Sequence, residues 1–274
     1  TAQLVLREEN KRYVDEPAYC KTDFSGNQFV LLSERDGYQH LYLYTAGGQL
    51  VRQLTSGEYE VTDYYGTDAT GKAFYYASNE GSPLEQYIYK VDASGKKTRI
   101  STEKGFNTAV FSKGCQYFLN AYSNLTTPPV YTLCNAQGKV VKVVEDNADL
   151  QATRAGLSLG SAEIISVTTA DGVQLNGWMV KPRNFDAAKK YPVLMYQYGG
   201  PGSQEVYNSY ANGFFGGLLW EQRLAEKGYI VVCVDGRGTN ARGDEFRKCV
   251  YKNMGHYEAI DQIAAANWLK TQSY

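Results

Sequence analysis

Histidine is nearly missing from this chain: two residues, His40 and His256, in 274. Any chemistry that moves a proton through imidazole therefore has only two places to look. His40 stands in an alternating run between Gln39 and Leu41, where a packed or capping side chain is expected. His256 stands just ahead of a helical pattern and is expected in a loop or cap. Cysteine is scarce as well. The five (Cys20, Cys115, Cys134, Cys233, Cys249) are an odd number with no Cys-x-x-Cys spacing, which argues against a zinc site or a dense disulfide framework. Cys233, inside the apolar run 230–234, is expected to be a small buried hydrophobe. Neither metal nor cofactor is expected. No excess of one charge sign exists either: 28 basic against 29 acidic residues leave a formal charge of −1. Nucleic acid and anionic membrane surfaces are thereby disfavoured as main partners. No apolar run approaches the roughly 20 residues of a membrane helix, and no basic start leads into an apolar core as in a signal peptide. One glycosylation triplet, Asn124-Leu125-Thr126, matters only in a secreted eukaryotic protein.

What is abundant is tyrosine, 24 residues, and glycine, 27, arranged with a period. Ser25-Gly26-Asn27-Gln28-Phe29 is echoed by Thr70-Gly71-Lys72-Ala73-Phe74 and by Lys113-Gly114-Cys115-Gln116-Tyr117-Phe118. Each echo opens an expected strand (29–32, 74–77, 118–121). A second strand follows (41–44, 87–91, 130–133), then a Gly turn (Gly48, Gly95, Gly138) and a last strand ending near Leu54, Ile100 and Val144. A period of about 45 residues with about four strands per unit marks a β-propeller blade. A plain β-sandwich would not keep this phase. Closed propellers need about four to eight blades. Three are visible, with a leftover strand expected at 3–7, so further blades are expected upstream of Thr1.

The repeat stops between Glu145 and Ala162. The division is placed so that residues 1–148 are the C-terminal blades of a propeller and 149–274 the N-terminal part of an α/β-hydrolase domain. Two expected strands, 164–169 and 174–180, flank Asp171-Gly172, a hairpin signal. Then come a strand over 193–198, a helix over 217–227 closed by Gly228, a strand over 229–234 and a helix over 257–270. Ile260, Ile263, Ala264 and Trp268 are expected on the buried face of that last helix. The fold class is mixed: a partial β-propeller followed by the opening of an α/β-hydrolase sheet.

The strand over 193–198 ends abruptly in Tyr198-Gly199-Gly200-Pro201-Gly202-Ser203-Gln204. Chemistry gathers at such carboxyl ends of strands, and a Gly-rich turn lets backbone and a phenol approach a reacting carbonyl oxygen. The bland alternative is a phenol packed at the sheet edge. A hydrolase of this type also needs a nucleophile on a strand–turn–helix elbow. The one Gly-x-Ser-x-Gly match, Gly156-Leu157-Ser158-Leu159-Gly160, has no apolar strand before it and an expected strand, not a helix, after it. Ser158 is expected to be a decoy. No Ser, His and acid occur in the required order and setting. Asp235, in Asp235-Gly236-Arg237-Gly238, fits an acid but fits better a carboxylate hydrogen-bonded to its own Gly-rich turn. Arg237 is expected to be a structural charge near the site.

Tyr198-Gly199-Gly200-Pro201-Gly202-Ser203-Gln204, Val234-Asp235-Gly236-Arg237-Gly238 and Gly255-His256-Tyr257-Glu258-Ala259-Ile260-Asp261-Gln262 resemble, in order and spacing, the dipeptidyl peptidase IV branch of the prolyl oligopeptidase family. Ser33-Glu34-Arg35-Asp36-Gly37-Tyr38-Gln39-His40 and Val144-Glu145-Asp146-Asn147 extend the resemblance into the first half. It implies a serine exopeptidase that releases X-Pro or X-Ala dipeptides from peptide N-termini through an acyl-enzyme. It also implies an eight-bladed propeller over the hydrolase domain and a parent enzyme able to form a homodimer. Tyr198 matches the family tyrosine whose hydroxyl donates to the tetrahedral oxyanion. The family's Gly-Trp-Ser-Tyr-Gly-Gly nucleophile motif would fall about a dozen residues past Tyr274, with Asp and His later still. The paired Glu residues that hold the substrate's amino group would lie before Thr1. The 274 residues alone are therefore expected to be inactive. Two rivals stand beside this reading. One is a non-catalytic homologue acting as a binding module. The other is an acylaminoacyl peptidase or endopeptidase of the same family.

Overall fold

Between Asp23 and Glu145 the chain lays down one four-stranded antiparallel meander three times. In the computed structural model, which describes residues 2, 4–15, 23–214 and 216–274, the first blade is β1 (Asp23–Ser25), β2 (Gln28–Ser33), β3 (His40–Thr45) and β4 (Leu50–Gln53). The second is β5 (Val61–Thr67), β6 (Ala73–Ser78), β7 (Tyr87–Asp92) and β8 (Lys97–Arg99). The third is β9 (Phe106–Phe111), β10 (Tyr117–Ser123), β11 (Val130–Asn135) and β12 (Val140–Glu145). The repeat extends to turn chemistry. Gly48, Gly95 and Gly138 all take φ between 83° and 90°, a region open to glycine at no steric cost. Ahead of them Asp92 Oδ1 accepts from the Ser94 and Lys96 amides, and Asn135 Oδ1 from those of Gln137 and Lys139. Thr45 Oγ1 does the same for Gln49.

Consecutive blades share cores because alternate residues of a strand face opposite ways. Val30, Leu32, Leu41 and Leu43 of the first pack with Phe74, Tyr76, Tyr89 and Val91 of the second. The other face of the second, Tyr75, Ala77 and Ile88, packs with Cys115, Phe118 and Cys134 of the third. Burying each such side chain contributes about 1.5–3 kcal/mol. His40 is fully buried, as a packed His should be, with Nδ1 3.1 Å from Thr55 Oγ1 and Nε2 3.0 Å from the Gly57 carbonyl. The expected strand over 3–7 does not form across its described residues 4–7. Leu6 instead packs on the Phe29, Leu31, Tyr42 and Tyr44 face, and Glu8 pairs with Arg35, so the segment is held by side chains rather than by a ladder. Cys20 lies outside the described residues. Cys115, Cys134 and Cys233 are buried free thiols and Cys249 is a half-buried one.

The later elements are α1 (Ala148–Gly156), β13 (Ala162–Thr168), β14 (Gln174–Val180), β15 (Val193–Tyr196), α2 (Leu219–Glu226), β16 (Ile230–Asp235), α3 (Gly243–Lys248) and α4 (His256–Lys270). Their sheet runs β13-β14-β16-β15. β14 is antiparallel to both neighbours, and β15 is parallel to β16, joined to it through α2. Val167, Leu175, Met179, Ile230, Val232 and Val234 form the core with Ala265 and Leu269 of α4.

Two expectations fail here. β15 stops at Tyr196 rather than 198, because its parallel register with β16 ends at the Tyr196–Cys233 pair. The buried face of α4 is Asp261, Ala265 and Leu269, whereas Ile260 and Ile263 are exposed and Ala264 and Trp268 only half-buried. An acidic residue thus heads the packed stripe. Among the described residues no helix is long and apolar enough to cross a membrane.

By compactness the chain forms two units, Thr1–Tyr122 with Tyr131–Glu145 and Ala241–Glu245, and Ser123–Val130 with Asp146–Asn240 and Phe246–Tyr274. The short Ala241–Glu245 stretch is fastened throughout within the first unit. Asn79 Nδ2 donates to the Ala241 carbonyl (2.8 Å), Gly243 N–H to Glu60 Oε1 (3.0 Å) and Asp244 N–H to the Gly37 carbonyl (2.7 Å). Asn10 Nδ2 reaches Asp244 Oδ2, and Arg12 pairs twice with Glu245.

Candidate active site

β15 and β16 are parallel neighbours, so their carboxyl ends emerge at one edge of the sheet. Tyr198 lies two residues beyond β15, 63% exposed, and its hydroxyl has no hydrogen-bond partner among the described residues. The turn that carries it is tightly tied. Ser203 Oγ donates to the carbonyls of Gly200 (2.7 Å) and Tyr198 (3.1 Å), and Ser203 N–H to Gly200 (3.0 Å). At Gly199 a Cβ would lie 2.3 Å from Nε2 of Gln197, so a side chain there would displace the end of that glutamine.

A second loop, following β16, grips this turn. Gly202 N–H donates to the Gly238 carbonyl (2.9 Å), and Asn240 N–H to that of Ser203 (2.8 Å). The Asp235 carboxylate accepts from the amides of Glu205 (3.1 Å to each oxygen) and Val206 (2.9 Å). This corrects the expectation for Asp235: it reaches across to the neighbouring loop. Its own turn is closed instead by Thr239, whose Oγ1 donates to the Gly236 carbonyl at 2.7 Å. Burial pushes the Asp235 carboxyl up to about 7, against the pull of the two amides, and the Glu205 charge adds to the rise. Glu205 is held on its other side too, its carbonyl accepting from Trp178 Nε1 (3.1 Å) and its carboxylate from the Tyr196 hydroxyl (3.2 Å).

Arg237 is a structural charge. Its guanidinium binds the fully buried Asp261 through Nε and Nη2 and the exposed Asp171 of the β13–β14 loop through Nη1. It also stacks 4.5 Å from the Tyr257 ring centroid. Hydrogen bonding to Asp261 raises its already high pKa. Ser158 follows the end of α1 and precedes β13, the reverse of a strand–turn–helix elbow. His256 opens α4 as an exposed first residue. Sequence reasoning missed Glu205, Trp178 and Ser203. Nothing local signals that a carboxylate at 235 will meet amides some thirty positions earlier.

The profile of the dipeptidyl peptidase IV N-terminal region matches residues 1–129, and that of the prolyl oligopeptidase family residues 218–274. The probable dipeptidyl-aminopeptidase B of Emericella nidulans is 36% identical over 242 residues, which make up 85% of this chain and 26% of that protein. The protein of the same name from Neosartorya fischeri is 37% identical over 248 residues, covering 87% and 26%. The crystal structure of Porphyromonas gingivalis dipeptidyl peptidase 4 superposes with a TM-score of 0.93 at 42% identity, over 99% of this chain and 38% of that one. This chain thus spans about a quarter of the length of the curated relatives it matches. With three propeller blades running into a hydrolase sheet of order β13-β14-β16-β15, the chain belongs to the prolyl oligopeptidase family, in its dipeptidyl peptidase IV branch.

Proposed function

We propose that this chain is part of a serine exopeptidase that releases X-Pro or X-Ala dipeptides from peptide N-termini through an acyl-enzyme. In that reading residues 1–148 are the last propeller blades and 149–274 the start of the peptidase domain. Tyr198 donates its hydroxyl to the tetrahedral oxyanion, beside a backbone N–H that follows the nucleophile. The observation that carries the proposal is the placement of Tyr198: an exposed phenol without an acceptor among the described residues, on a braced turn at the carboxyl end of β15. A donor fixed before the reaction loses little in reorganisation when charge develops on the carbonyl oxygen.

In that reading neither Ser158 nor His40 takes part in the machinery. Ser158 is in the wrong setting, and His40 is consumed by two hydrogen bonds inside a blade. The chain alone is expected not to hydrolyse peptides. The parent enzyme is expected to act on substrates with Pro or Ala at the second position, without a cofactor, and to be able to form a homodimer.

The test is hydrolysis of a Gly-Pro chromogenic substrate by the parent enzyme and its Tyr198→Phe variant. Losing one oxyanion donor costs on the order of 3 kcal/mol, so kcat should fall by about a hundredfold with KM little changed. An unchanged kcat would remove the role from Tyr198. Ser158→Ala should leave the rate as it was.

A further inference from the structure

We infer that Asp235 is a positioning residue for Tyr198: it ties the Tyr198 turn to the rigid end of β16. The inference rests on the oxyanion role proposed for Tyr198 and extends it to a residue that touches no substrate.

The path is continuous. β16 is among the best-anchored strands, with Ile230, Val231, Val232, Cys233 and Val234 all at most 1% exposed. It is paired on one side with β14, where Asn176 stands opposite Asp235, and on the other with β15. Asp235 therefore projects from a backbone that has little freedom to shift. Its carboxylate receives two consecutive amides, Glu205 and Val206, and is 8% exposed, so water competes poorly for either bond. The Glu205 peptide is gripped from the far side by Trp178 Nε1. From that fixed point the chain runs back one residue to Gln204 and then to Ser203, whose Oγ holds the Tyr198 and Gly200 carbonyls.

The carboxylate thus adds a side-chain anchor from β16 to the Gly202–Gly238 and Asn240–Ser203 backbone bonds that already join the two loops, while β15 holds the other end of the turn. Without it the turn keeps those backbone bonds and its internal Ser203 bonds but loses the hold on Glu205 and Val206 that sets its registration to the end of the strand. A displacement of about 1 Å in a catalytic group costs on the order of a hundredfold in rate. Asparagine is nearly isosteric with Asp, but with its carbonyl oxygen in the Oδ2 position its –NH2 takes the Oδ1 position. There it faces the Glu205 amide as a second donor and turns that contact from attraction to repulsion.

The experiment compares the parent enzyme with Asp235→Asn, Ser203→Ala, Tyr198→Phe and the Asp235→Asn/Tyr198→Phe pair. Rates are taken per folded molecule on a Gly-Pro chromogenic substrate. Asp235→Asn should lower kcat by about ten- to a hundredfold while KM moves less than about twofold. In the Tyr198→Phe background the same change should cost little more, since the two residues act as a unit. Ser203→Ala should give a smaller loss of the same kind, and it carries the test alone if Asp235→Asn fails to fold.

A lower unfolding midpoint with undiminished kcat would reduce Asp235 to a structural role and overturn the inference. So would a loss that is fully additive with Tyr198→Phe. If Tyr198→Phe slows the enzyme and Asp235→Asn does not, only the inference falls. If Tyr198→Phe has no effect, the oxyanion reading falls and the inference with it.

Discussion

Arg237 meets Asp261 three times: Nη2 at 2.6 Å, Nε at 3.1 Å and the Arg237 backbone amide at 2.6 Å all converge on one fully buried carboxylate. Two chain elements are joined by this contact, the loop after β16 and the second turn of α4. It also explains how a helix can bury an acidic residue on the same face as Ala265 and Leu269, which pack against the sheet.

Removing one side of that pair should be costly. Arg237→Met leaves Asp261 buried without a counter-charge, and the expected loss is about 3–5 kcal/mol in urea unfolding. Arg237→Met with Asp261→Leu should recover most of it, because the penalty belongs to the orphaned charge rather than to the missing pair. Asp171→Asn should cost far less than Arg237→Met, since Asp171 is exposed and water replaces its half of the contact. Equal losses for Arg237→Met and the double variant would contradict this account.

His40 should make the propeller blades acid-sensitive. Burial lowers its pKa below the ordinary 6.5, so the unfolded chain takes up a proton more readily than the folded one. Stability is full above that ordinary value and declines as pH falls through it toward the folded value. Unfolding midpoints measured at about pH 7.5 and about pH 5.5 should differ more for the native chain than for His40→Gln. Identical differences would show that His40 is protonated equally in both states.

Two turn glycines at matching places in the repeat should respond unequally to alanine. At Gly95 a Cβ meets nothing closer than Arg52 Nη1 at 3.6 Å, so Gly95→Ala should cost about 1–2 kcal/mol for its left-handed backbone alone. At Gly138 a Cβ would lie 2.0 Å from the Ile100 carbonyl oxygen, and the backbone of one blade would have to move. Thermal unfolding should place Gly138→Ala well below Gly95→Ala. The reverse order would sink the steric argument.

β12 is the edge of its sheet, and Val140, Val141, Val143 and Val144 are all more than half exposed. An apolar strand with a free ladder invites pairing with another chain. The 274 residues should therefore self-associate with rising concentration in sedimentation velocity. Lysine at Val141 and Val143 should shift them toward monomer. Monomeric behaviour of the unaltered chain at high concentration would refute this.

The three blades were legible because their signals recur: Phe29, Phe74 and Phe118 open equivalent strands, and Gly48, Gly95 and Gly138 close equivalent turns. The sheet of the second unit was legible in its apolar runs. What escaped was of two kinds. α1 buries none of its residues and starts from Asn147 without a side-chain cap hydrogen bond, so no core-facing apolar stripe marks it in the sequence. α4 offers two apolar stripes, and the wrong one looked better. Ile260 and Ile263 outrank Asp261 on any hydropathy scale, and only Arg237, twenty-four positions away, makes the acidic stripe the buried one. At the site, Tyr198 stood out by its local Gly-Pro setting. Asp235 did not reveal its partners, because hydrogen bonds between loops of different strands leave no mark in local sequence.

The placement of Ala241–Glu245 bears on how this protein can be cut. Those five residues complete the first unit, yet the chain reaches them only after passing through most of the second. No single scission separates the two. A piece ending at Glu145 would leave Asn79, Glu60 and the Gly37 carbonyl without the groups that answer them, and a piece beginning at Asp146 would carry a loop folded for a surface it no longer has. In topology, unlike in sequence order, the halves are interleaved, and limited proteolysis between them should release neither as a stable fragment.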